Sequence, residues 1–174
     1  MASISIPISL RSRVHTGLLS WLATVDHKKV GLLYICMSFV IFVVSGILAL
    51  IMRLQLVRPE NTLVSAQLYN QLFTMHGTGM IFLFTIPILV GGFGNYFVPL
   101  MIGARDVAFP RLNAFSFWIT LGGALVMEGG FILGAIAQAV PFLNDLLLQR
   151  GVLASDAAWI GYPPYSNKPY SPQI

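Results

Sequence analysis

Charge is what this sequence has least of. Only 9% of its 174 residues are Asp, Glu, Lys or Arg, and from Asn61 to Ala104 there is none at all. A chain that is 56% hydrophobic, with a mean hydropathy of +0.79, falls outside the range of soluble domains and belongs in a membrane. Cysteine is nearly absent too. Cys36 is alone, which excludes a disulfide framework, and its apolar surroundings make it an inert packing residue. No internal repeat is present, which excludes a solenoid. No basic patch of the kind nucleic acid requires is present either. The segment 1–16 carries Arg11 and Arg13 but lacks a long apolar core followed by a small-residue cleavage site. It therefore reads as a retained cytoplasmic tail rather than a signal peptide.

What remains is apolar sequence in three long stretches. The expected organisation is a cytoplasmic N-terminal tail over 1–29 and an all-α membrane domain over 30–140. The domain holds three transmembrane helices, at about 30–53, 67–102 and 113–140, and an extracytoplasmic loop follows over 141–174. The first stretch is charge-free from Val30 to Met52 and ends at Arg53. The second is longer than a bilayer needs, so it must tilt, kink or project. Pro87 and Gly91-Gly92-Phe93-Gly94 stand where a kink is expected. Arg11, Arg13, Lys28, Lys29, Arg105 and Arg111 fall on one side of this arrangement, and Arg53, Arg58, Arg150 and Lys168 on the other. The positive-inside rule puts the first group, and the N-terminus, in the cytoplasm. Gly129, Gly130 and Gly134 suit close helix contacts. Three helices alone offer few partners for them.

Polar groups in such a setting are few enough to weigh one by one. His76 is the only imidazole in the charge-free run. It reads either as a ligand of haem iron or copper or as a side chain satisfied by a backbone carbonyl, and Gly77 and Gly79 beside it leave room for something flat. Arg53 either snorkels to the interface or bonds a polar group of a cofactor held by His76. Asp106 is a helix cap or loop ion pair, or the mouth of a water file continued by Asn95, Asn113 and Tyr34. Glu128 lies about 22 Å along the third helix from Asn113 at 1.5 Å per residue. It is a structural hydrogen-bonding group or a proton relay.

His76-Gly77, Gly91-Gly92-Phe93-Gly94-Asn95 and the run from Gly103-Ala104-Arg105-Asp106 through Phe109-Pro110-Arg111-Leu112-Asn113 resemble subunit I of the haem–copper oxidases. Thr24-Val25-Asp26-His27-Lys28-Lys29 and Tyr162-Pro163-Pro164 extend the resemblance in the correct order. It implies a chain forming the N-terminal part of a twelve-helix bundle, either a piece of a longer chain or one part of a split subunit. By the same resemblance His76 is an axial ligand of the low-spin haem, and Arg53 contacts its formyl group if it is haem A. Trp159 lies near the propionates. Asp106 opens a proton channel lined by Asn95, Asn113 and Tyr34.

The second haem, the copper and the catalytic residues are expected in the missing part. The implied partners are cytochrome c, oxidase subunits II and III, the remainder of subunit I and the lipid bilayer, with no nucleic acid. The implied location is the plasma membrane of a bacterium. A quinol oxidase of the same family is an alternative. At the positions where that branch carries arginine, aspartate, histidine and glutamine, this chain has Val44, Leu48, Leu68 and Gln71, so three of the four are missing. A non-catalytic structural or assembly remnant is the other alternative.

Overall fold

The computed structural model describes residues 17–139 and 142. Among these residues the chain is helical, with no strand. A short helix α1, Leu18–Leu22, precedes three long ones: α2, His27–Gln55, α3, Ala66–Met101, and α4, Pro110–Ala139. Each of the three is long and apolar enough to cross a membrane.

Local chemistry sets the ends. Asp26 caps α2, its carboxylate accepting from the Lys28 N–H at 2.8 Å, so the helix begins at His27 rather than at the first uncharged residue, Val30. Lys28 and Lys29 ride on its first turn. Pro110 opens α4, where its missing N–H costs nothing and its fixed φ suits a helix start. Asn113 is therefore one turn inside α4 instead of at its beginning. Ser65 caps α3 by accepting from the Leu68 N–H at 3.2 Å. Gln55 braces the α2–α3 link: its amide donates to the Asn61 carbonyl and its side-chain oxygen accepts from the Val64 N–H at 2.9 Å.

The kink expected in the second span takes a different form. Helix α3 continues without a break but widens to i→i+5 turns over Gly79–Thr85 and Pro87–Gly94. Pro87 has no N–H to donate, and the Thr85 hydroxyl donates to the Met80 carbonyl at 2.7 Å. Widened turns of this kind redirect side chains and recur at functional sites. Gly103, at φ +68°, turns the chain out of the helix.

Helix α2 is the central element, packed on both α3 and α4. Near its N-terminal end Val30, Tyr34 and Met37 cluster with Phe117, and the Tyr34 and Phe117 rings meet edge to face at 5.1 Å. Toward the other end Leu48 and Met52 cluster with Leu72, Met75 and Phe131. Glycine permits the tightest crossings. A Cβ on Gly91 would lie 2.5 Å from the Tyr34 ring.

The opposite faces carry many exposed apolar side chains, among them Phe39, Val40, Val43, Leu50, Val90 and Val126. Cys36 belongs to this outward face. The expectation of a packed thiol is thereby corrected: its place on the helix turns it away from α3 and α4.

Candidate functional site

Among the described residues, polar side chains of candidate function gather at two places, one toward each end of the bundle. The first centres on His76. Its Nδ1 lies 2.8 Å from the Ser45 carbonyl on α2. A carbonyl only accepts, so Nδ1 carries the proton and donates. That bond fixes the ring and leaves the Nε2 lone pair free, the arrangement that metal-ligating histidines adopt. His76 is half-buried, and a Cβ on Gly77 would meet nothing within 4 Å. Behind the imidazole the helices are in close contact, Gly79 lying directly against the Ser45 side chain.

These residues fit a planar, iron-bearing group reached from the open side. No group of three or more metal-binding side chains occurs among the described residues. Arg53 is exposed and lies roughly 12 Å farther along α2 than Ser45, at 1.5 Å per residue. Trp159 lies outside the described residues.

The second feature is a cavity of about 340 Å³ between all three long helices, whose polar lining includes Tyr34, Asn95, Asn113, Ser116 and Thr120. At ~30 Å³ per water it has room for roughly ten molecules. The Tyr34 hydroxyl shares hydrogen bonds with the hydroxyls of Ser116 at 3.1 Å and Thr120 at 3.5 Å. The Asn95 amide donates to the Gly91 carbonyl at 2.8 Å in the widened part of α3. The Asn113 amide nitrogen is buried with no protein partner, which suits a group that bonds to water.

A second hollow of about 320 Å³ shares Asn95, Asn113 and Ser116 and reaches Val107. Val107 donates its N–H to the half-buried Asp106 carboxylate at 2.8 Å. Asp106 itself lines neither hollow. Tyr34, Asn95 and Asn113 thus meet in one space, with Asp106 one residue beyond its extension.

Three residues at this site escaped the sequence reading. Ser116 and Thr120 follow Asn113 at intervals of three and four on one face of α4, a spacing that could have revealed them. His27, 2% exposed, holds the Asn95 carbonyl through Nδ1 at 2.9 Å. Only its place in a motif singled it out in the sequence.

The described residues thus form membrane-length helices with one oriented imidazole nitrogen toward one end and a polar cavity toward the other. Residues 29–173 match the family model described as cytochrome c and quinol oxidase polypeptide I. The chain belongs to that family, whose members carry haem and copper.

It is 44% identical over 154 residues to a probable cytochrome c oxidase subunit 1-alpha of Streptomyces avermitilis, covering 88% of this chain and 24% of the relative. It is 46% identical over 160 residues to cytochrome c oxidase subunit 1 of Corynebacterium efficiens, covering 91% and 24%. Cytochrome c oxidase polypeptide 1 of Halobacterium salinarum matches at 39% over 158 residues, again covering 91% and 24%. The chain spans about a quarter of the length of these curated relatives.

Proposed function

We propose that this chain acts as the N-terminal quarter of subunit I of a cytochrome c oxidase, in the plasma membrane of a bacterium with its N-terminus in the cytoplasm. The observation that carries the reading is the His76 imidazole, tied at Nδ1 to the Ser45 carbonyl and open at Nε2. His76 would ligate the iron of the low-spin haem, taken to be haem A. Arg53 would bond the formyl group, and the family resemblance alone assigns Trp159 to the propionates. Such a haem would supply one-electron transfer between cytochrome c and a haem–copper site, held by the rest of the subunit, where oxygen would become water.

The chain's own residues then do two things. The Ser45 carbonyl accepts from His76 Nδ1 and so fixes the ring with Nε2 toward the open side. Asp106 collects protons from the cytoplasm and passes them to water ordered by Asn95, Asn113 and Tyr34, with the Ser116 and Thr120 hydroxyls continuing the path inward. Oxidase subunits II and III and the remainder of subunit I complete the assembly. Cytochrome c as donor is supported by the names of the relatives, cytochrome c oxidase subunits, and by Val44, Leu48 and Leu68, which stand where the quinol-oxidising branch has polar residues.

Oxygen uptake by the assembled oxidase carrying the full-length subunit tests the proposal. Uptake with reduced cytochrome c, accompanied by external acidification, is expected. Uptake with quinol alone, or none with either donor, would overturn it.

A further inference from the structure

Glu128 occupies a core position. Phe117, Leu121, Ala124, Glu128 and Phe131 recur along α4 at alternating steps of four and three, the spacing of a single packed face. Phe117, Ala124 and Phe131 on that face are buried, and Leu121 packs against the Tyr34 cluster. Glu128 is half-buried in line with them, and its Oε1 is buried with no hydrogen-bond partner. A carboxyl so placed is costly unless it is protonated, paired or used. Any further chain that packs on these helices can only deepen the burial.

Its depth in the bundle matches that of His76. Phe131 shares a cluster with Leu48 and Met52. Glu128 lies three residues before Phe131, as Ser45 lies three residues before Leu48, about 4.5 Å along each axis. The Ser45 carbonyl is the group that anchors the imidazole. From α2 and α3, the helices packed against α4, the charged or titratable groups toward this end are Arg53, His76 and Tyr69. Tyr69 packs against the cluster containing Phe131.

We infer that Glu128 is a redox-linked proton-binding group: it binds one proton when the haem held by His76 gains one electron. The balance is simple. The iron passes from Fe(III) to Fe(II) with an electron from the donor, and the carboxylate becomes a carboxylic acid with a proton from water. The two events are coupled because a unit charge change is felt strongly across a poorly screened interior. The inference rests on His76 being a haem ligand.

The test is a redox titration of the low-spin haem over a range of pH in the assembled oxidase, parent against Glu128→Gln. The inference predicts a higher midpoint potential in the variant and a weaker dependence of that potential on pH, with the low-spin spectrum intact. An intact spectrum with unchanged potentials at every pH overturns it. If Glu128→Gln does not assemble, Glu128→Asp keeps the carboxyl. Its carbonyl band in the reduced-minus-oxidised infrared difference spectrum must then move relative to the parent, and an unmoved spectrum overturns the inference. Failure of the ligand reading shows separately, as a low-spin spectrum that survives His76→Ala.

Discussion

Gly91→Ala is a sharp probe of how the polar cavity is built. The added methyl would lie 2.5, 2.6 and 2.7 Å from three carbons of the Tyr34 ring. That ring is 5% exposed and is held on its other side by Phe117, so it cannot yield without moving its neighbours. Overpacking a close-packed site costs about 1–3 kcal/mol. Displacing the ring also forfeits about 1 kcal/mol of edge-to-face contact and about 1 kcal/mol from the hydroxyl bonds to Ser116 and Thr120. Alanine's better helix propensity returns about 1 kcal/mol. The net expectation is a loss of about 2–4 kcal/mol, read as a lower midpoint in an SDS unfolding titration of the purified full-length oxidase. Proton uptake should slow in the folded fraction. A variant as resistant to SDS as the parent would refute the packing argument.

Asp106→Asn should slow turnover and proton pumping while both haem spectra remain. Unimpaired pumping, measured as acidification after an oxygen pulse, would remove Asp106 from the proton path. His27→Leu leaves the Asn95 carbonyl without its buried donor, at a cost of about 1–3 kcal/mol. The same SDS titration should detect it, and an unchanged midpoint would show that the 2.9 Å contact contributes nothing.

The three spans were legible because apolar runs of that length, interrupted inside only by Glu128, have no other stable home. Their ends were less so. Lys28 and Lys29 look like flanking charges, and only the Asp26 cap explains why they lie within the helix. Pro110 hid the start of α4 in the same way. Pro87 and the neighbouring glycines announced a distortion in α3, but whether a helix breaks or widens depends on where its freed carbonyls find donors.

At the candidate site, residue types pointed to Tyr34, Asn95 and Asn113, and the structure brings them into one cavity. The Ser45 carbonyl was beyond reach because it is a backbone atom on another helix. Ser45 is apparent in the sequence only as one small polar residue among apolar ones. Cys36 was misjudged because an apolar neighbourhood in sequence does not say which side of a helix faces the bundle.

The central claim is that the open nitrogen of His76 holds the low-spin haem. The most direct measurement is the reduced-minus-oxidised absorption spectrum of the assembled oxidase with His76→Ala in its full-length subunit I. Loss of the low-spin haem band while the complex still assembles is the expected result. A low-spin band of parental position and intensity would contradict it.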